Sequence, residues 1–222
     1  MLPWIQLDTA PLPGEGDLRL KQRGSEFSIM LGANELMNSR LSGSEEAMAT
    51  LAAERLKGRA RPSILIGGLG MGFTLRAALE AFGRDARIEV AELVPAVVAW
   101  ARGPLAELFA GSLDDPRVTV TVKDAFEVIG AQRGTYDAIL LDVDNGPEGL
   151  TVSSNDRLYD AAGLHHAKTA LKPGGLLAVW SAAPDKRFGK RLHDAGFKVE
   201  EVTVRARRGG GGARHRVWLA RP

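Results

Sequence analysis

The chain has 222 residues, 45% of them hydrophobic, with 29 Lys and Arg against 27 Asp and Glu, enough for a full apolar core. It contains no cysteine, which excludes disulfides, thiolate nucleophiles and cysteine metal ligands and suits a reducing cytoplasm. Residues 1–17 hold Pro3, Pro11 and Pro13 but no basic start followed by a long apolar run, so neither secretion nor membrane spanning is expected.

Three extended segments come first, 18–23, 26–31 and 35–39, separated by Gly24-Ser25 and Gly32-Ala33-Asn34. They predict a small antiparallel meander within residues 1–43, and residues 44–222 are expected to form a second, nucleotide-binding unit. Ser44-Glu45-Glu46 supplies a capping residue and first-turn acids to a helix over 47–56, in which Met48, Leu51, Ala52 and Leu56 share a face.

The most informative stretch follows. Ser63-Ile64-Leu65-Ile66 is a short apolar run that opens into Gly67, Gly68, Gly70 and Gly72 and then a helix-compatible segment, 73–82. A buried strand feeding a glycine turn allows sharp bends at positive φ and lets a ligand approach the main chain. Gly68, Gly70 and Gly72 make G-x-G-x-G, whereas the dinucleotide fingerprint needs glycine where Phe73 stands; a pyrophosphate ligand is therefore disfavoured.

From there elements alternate: strand 87–92, helix 95–109, strand 118–123, helix 125–131, strand 138–142, helix 156–171, a stop at Lys172-Pro173-Gly174-Gly175, strand 176–181 and helix 185–195. Strands 198–205 and 215–220 are joined by a connection too short for a crossover helix, so they form a hairpin. The predicted class is α/β: a doubly wound, mostly parallel seven-stranded Rossmann-like sheet with an antiparallel last strand. Residues 186–222 carry 11 Lys and Arg against 3 Asp and Glu. Their aromatics Phe188, Phe197 and Trp218 read as core, so this is expected to be a solvated basic face, with nucleic acid not an expected partner. The glycine tract 209–212 reads as a surface hairpin tip.

In an open α/β sheet, ligands bind at the carboxyl ends of the strands. Glu92, Asp124, Asp142 and Asp144 fall at such ends, and Glu92 lies where a carboxylate can take two hydrogen bonds from a ribose diol. With the glycine turn these acids make a nucleoside cradle. The four histidines lack metal-ligand spacing and no metal is expected; Gly-x-Ser-x-Gly is absent.

At this level of detail the chain resembles the class I S-adenosylmethionine-dependent methyltransferase fold and, within it, the spermidine synthase (polyamine aminopropyltransferase) family. The matching text includes Leu31-Gly32, the segment from Ser39 to Glu46, Ile64 to Gly72, Val90-Ala91-Glu92-Leu93-Val94-Pro95, Asp115-Pro116-Arg117-Val118, Lys123-Asp124-Ala125, Tyr136 to Asp142, Gly146-Pro147, Leu158-Tyr159 and Leu171 to Gly175. The resemblance implies that Glu92, beside Leu93, holds ribose hydroxyls, that Asp124 takes the adenine amino group with Ala125 nearby, and that Gly67, Gly68, Gly70 and Gly72 surround the sulfonium. It implies that Asp142 prepares the attacking amine, with Asp144, Asn145 and Glu45 toward the acceptor, and it implies a homodimer.

Two departures bear on the reaction. The family's acid in the glycine turn is Gly70 here, and the second amine-holding acid is replaced by Asn145. Bare N–H groups at a glycine turn suit the carboxylate of intact S-adenosylmethionine. The expected reaction is accordingly methyl transfer to a small polar or amine acceptor. Aminopropyl transfer from decarboxylated S-adenosylmethionine to putrescine or another amine is the alternative, and a non-catalytic nucleoside- or nucleic-acid-binding module the second.

Overall fold

The computed structural model describes residues 2–12, 16–143, 146–147, 155–209 and 211–222. A four-stranded antiparallel sheet comes first, formed by β1 (Ile5–Leu12), β2 (Gly16–Arg23), β3 (Glu26–Leu31) and β4 (Asn34–Asn38) in sequential order. Alternation puts Leu18 and Leu20 of β2 and Phe27, Ile29 and Leu31 of β3 on the buried face. Strand β1 is not among the predicted segments, because only Ala10 and Leu12 of it are buried and Pro11 interrupts its pattern. It is pinned from outside the sheet: Trp100 Nε1 donates to Asp8 Oδ2 at 2.6 Å.

The second sheet has seven strands: β5 (Ser63–Gly67), β6 (Arg87–Glu92), β7 (Val118–Val122), β8 (Tyr136–Leu141), β9 (Leu171–Ser181), β10 (Lys198–Arg205) and β11 (Arg214–Arg221), in the order β10-β11-β9-β8-β5-β6-β7. Strands β5 to β9 pair in parallel, and β11 runs antiparallel to both neighbours. The last strand is thus antiparallel as expected, but it is threaded between β9 and β10 instead of lying at the edge.

The helices are α1 (Gly43–Arg55), α2 (Phe73–Ala81), α3 (Pro95–Arg102), α4 (Ala106–Phe109), α5 (Ala125–Gly130), α6 (Asp156–Tyr159), α7 (Ala161–Ala170) and α8 (Lys186–Asp194). Two predicted helices are broken. The one over 95–109 stops at Arg102 because Gly103 and Pro104 follow. The one over 156–171 is interrupted at Asp160, which is extended (φ −80°, ψ 179°) and whose side chain accepts from Gly163 N, so that it caps a new helix.

Apolar residues of the four-stranded sheet, such as Leu20 and Ile29, share one buried cluster with Ile64 and Ile66 of β5 and Trp100 of α3. A second cluster on the opposite face gathers Leu65, Ile139, Phe188 and Trp218. The start of β8 is held by Asp137, 3% exposed, which accepts from Ser63 N at 2.8 Å, Arg59 Nη1 at 3.1 Å and Lys172 Nζ at 2.6 Å. This grip falls where the β8–β9 register jumps from Tyr136↔Leu171 to Ala138↔Leu176, so Lys172 to Gly175, expected as a turn before the strand, lie within β9.

Candidate active site

Strand β5 has β8 on one side and β6 on the other, so the chain reverses its winding at the carboxyl end of β5 and a crevice opens there. The crevice measures about 970 Å³ including its open mouth. Gly68, Gly70, Glu92, Leu93, Asp124, Ala125, Asp142 and Glu45 all line it. Gly67 and Gly72 stand just behind. Gly72 (φ +76°) caps α2, and a Cβ there would lie 2.5 Å from the Phe109 ring. Asp144 and Asn145 lie outside the described residues.

Most N–H groups of the glycine turn already have an acceptor. Gly68 N donates to Ala91 O at 2.9 Å and Gly72 N to Leu69 O at 2.9 Å; Leu69 N donates to Glu92 Oε2 at 2.9 Å. Met71 N meets the Met37 sulfur at 3.1 Å. Glu92 further accepts from Val94 N at 2.8 Å. Burial raises its pKa above the ordinary carboxylate value, against these N–H donors. Two carboxylate oxygens offer about four lone-pair sites, and the bonds from Leu69 N and Val94 N leave about two, the capacity a diol needs.

Asp124 caps α5 by accepting from Phe126 N at 2.8 Å. Its other oxygen is held by Arg157 of α6, whose guanidinium lies 4.8 Å from the Phe126 ring centroid. Asp142, immediately after β8, accepts from Thr74 Oγ1 at 2.5 Å. It is half-buried, and burial pushes its pKa up to about 6. Glu45, at the start of α1 and 8% exposed, is pushed up to about 7 by burial and then by the negative charge of Asp142. Ionising one carboxyl disfavours ionising the other, so the pair carries one proton more readily than two charges.

Among the described residues that line the crevice there is no Lys or Arg, and no described group of three or more His, Asp or Glu is arranged to hold a metal ion. No helix among the described residues is long and apolar enough to cross a membrane. Several crevice residues were not singled out by sequence reasoning. Leu18, Ile29 and Met37 bring the four-stranded sheet against the glycine turn as an apolar wall, and only the three-dimensional folding-over of that sheet shows it. Trp180 lines the crevice as well. Thr74 and Arg157 are isolated polar residues on helices, with no sequence signal for their carboxylate partners.

These features define a Rossmann-like fold with an acid-rich crevice, the fold shared by methyltransferases and spermidine synthases. Spermidine synthase from Thermotoga maritima superposes with a TM-score of 0.75 at 16% identity, over 98% of this chain and 73% of the other. Human Methyltransferase-like protein 13 in complex with SAH superposes with a TM-score of 0.58 at 20% identity, over 80% of this chain and 78% of that one. Sequence narrows the assignment. Residues 44–186 match the spermine/spermidine synthase domain, and the chain belongs to that family. It is similar to the polyamine aminopropyltransferases of Mycobacterium tuberculosis (35% identical over 151 residues, 64% of this chain) and Sulfolobus acidocaldarius (29% over 122 residues, 55% of this chain). The chain spans 28% and 39% of the length of those two relatives.

Proposed function

We propose that the protein is a transferase that moves the aminopropyl group of decarboxylated S-adenosylmethionine onto a polyamine-class amine such as putrescine. The observation that carries this reading is the charge of the crevice: Glu45, Glu92, Asp124 and Asp142 line it and no described basic side chain does. Decarboxylation removes the donor's only anionic group, leaving a sulfonium and an ammonium, and a diamine acceptor is a dication. Both substrates match a negative site with low-dielectric walls. The family match over residues 44–186 supports the same choice.

This reading replaces the expectation of methyl transfer. That expectation looked to free N–H groups in the glycine turn for the carboxylate of intact S-adenosylmethionine, and Glu92, Met37 and backbone carbonyls take those of Gly68, Leu69, Met71 and Gly72. Gly70 carries no anchoring acid, but most of the turn's N–H groups are already engaged and leave little for an anion.

In this reading Glu92 accepts hydrogen bonds from the ribose hydroxyls and Asp124 from the adenine amino group, while the apolar wall of Met37, Leu18 and Ile29 excludes water. The acceptor nitrogen attacks the carbon next to the sulfonium. The new N–C bond forms as the C–S bond breaks, and the electron pair stays on sulfur in methylthioadenosine. An ammonium cannot attack, so one proton must first pass to a carboxylate, and Asp142 with Glu45 behind it is the available base. Incubating the protein with decarboxylated S-adenosylmethionine and putrescine should release methylthioadenosine and spermidine, read by mass spectrometry. S-adenosylhomocysteine formed from intact S-adenosylmethionine, with no methylthioadenosine from the decarboxylated donor, would restore the methyl-transfer reading.

A further inference from the structure

Each aminopropyl transfer onto a protonated amine releases one proton. The acceptor enters as R–NH3⁺ and the product leaves as a protonated secondary amine, the donor's positive charge having moved from sulfur to nitrogen. The surplus proton is left on the Asp142–Glu45 pair, in a crevice that substrate fills. A path out is needed once per turnover.

The structure holds such a path. Ser44 is fully buried and its Oγ donates to Glu45 Oε2 at 2.6 Å. The same oxygen lies 2.8 Å from Nδ1 of His215 on β11, a half-buried residue whose ring is held edge-on by Trp180 with centroids 4.9 Å apart and planes at 82°. We propose that Ser44 and His215 form a relay that carries the proton from the acid pair to solvent. The relay rests on the amine-transfer reading above.

Protons balance along it. With Glu45 charged, His215 Nδ1–H donates to Ser44 and Ser44 donates to Glu45. Before the next transfer the ring exchanges tautomers through water, Nε2 gaining one proton and Nδ1 losing one, so that when Glu45 carries the acceptor's proton it donates to Ser44 and Ser44 donates to the bare Nδ1. Shifting both protons one place makes an imidazolium. Loss of the Nε2 proton to solvent restores the first state, with no oxidant or further reactant. Burial raises the carboxyl to about 7 and holds the imidazole below its usual value, so the imidazolium, once formed, gives up its Nε2 proton readily.

Other charged groups nearby are spoken for. Glu46, beside Glu45, is held by Arg208 of the β10–β11 turn and faces Arg76 of α2 at 4.0 Å. Asp142 is held by Thr74. Of the strand neighbours of His215, Arg216 pairs with Glu201 at 2.8 Å and Arg214 is exposed.

The test is single-turnover transfer by His215→Ala and Ser44→Ala with decarboxylated S-adenosylmethionine and putrescine, in dilute buffer and then with added imidazole. In His215→Ala the rate should fall at least tenfold, methylthioadenosine affinity should stay within twofold, and imidazole should restore the rate in a saturable way, which a merely structural role of the histidine would not allow. Ser44→Ala should fall similarly and gain nothing from imidazole. A wild-type rate in either variant, or a fall in His215→Ala that imidazole leaves untouched, overturns the relay. If the wild-type chain transfers nothing to any amine, it is the functional reading that fails. The wiring is then read separately from the ¹⁵N titration of His215, whose midpoint should move down by about 0.5 in Glu45→Gln, where the anion that favours the imidazolium is lost; an unmoved midpoint overturns the connection.

Discussion

Replacing Gly68 by alanine tests whether the glycine turn and the base Asp142 are mechanically one unit. Gly68 sits at φ +91°, and a Cβ there would lie 2.4 Å from the carbonyl oxygen of Asp142. To reach ordinary contact at 3.4 Å that carbonyl must retreat by about 1 Å. The left-handed backbone costs roughly 1–2 kcal/mol for an L-residue, and the overpacking about 1–3 kcal/mol more. The sum, about 2–5 kcal/mol, lowers the urea midpoint by about 1–2 M for a slope of about 2.5 kcal/mol/M. A displacement of about 1 Å at a reacting group costs on the order of 100-fold in rate. Gly111→Ala is the control, since Gly111 has φ +78° and nothing within 4 Å of its Cβ position, so it should pay only the backbone cost and keep full turnover. The assays are urea denaturation followed by tryptophan fluorescence and methylthioadenosine release from surviving folded protein. If Gly68→Ala is no less stable than Gly111→Ala and turns over at the wild-type rate, the coupling is wrong.

Burial gives Asp142 and Glu45 raised pKa values, about 6 and about 7, so the folded state holds their protons more tightly than the unfolded chain. Their contribution to stability is full below about pH 4 and is lost as pH rises through 6 to 7; Glu45→Gln should flatten that slope in urea melts at stepped pH, while wild-type transfer rises over the same window as the base ionises. Arg157→Ala removes the cation that occupies Asp124 and should tighten methylthioadenosine binding several-fold in calorimetry; weaker binding would mean that Arg157 helps the ligand. Glu92→Gln turns an acceptor-only group into one with a mismatched amide facing the N–H of Leu69 and Val94, and should weaken the same nucleoside at least tenfold, about 1.4 kcal/mol. Asp137→Ala strands the Ser63 N–H and frees Arg59 and Lys172, at a cost of about 3 kcal/mol in denaturant unfolding.

The parallel part of the sheet was readable because its central strands are continuous apolar runs ending in glycine or an acid, as at Ile64 to Gly67 and Ala138 to Asp142. Those strand ends also disclosed most of the crevice, since strand direction alone brings Gly68, Glu92, Asp124 and Asp142 together. What stayed hidden depends on contacts distant in sequence. β1 is held largely by pairing with β2 and by the Asp8–Trp100 bond. The breaks at Gly103 and Asp160 turn on a residue pair and a local cap within otherwise helical text. The choice between methyl and aminopropyl transfer depends on where the turn's N–H groups go, and Met37, 34 residues from Met71, takes one of them.

The placement of β11 between β9 and β10 has a consequence for how the protein is made. Until the final eight residues of the sheet have left the ribosome, β10 has no strand beside β9 to lean on, and the slot that receives His215 stands empty. The scaffold that carries the glycine turn can condense earlier, so on the function and relay proposed above the nascent chain passes through a form that grips a nucleoside before it disposes of a proton. Competence to bind and competence to turn over would then arrive at different moments of synthesis, separated by the emergence of one strand.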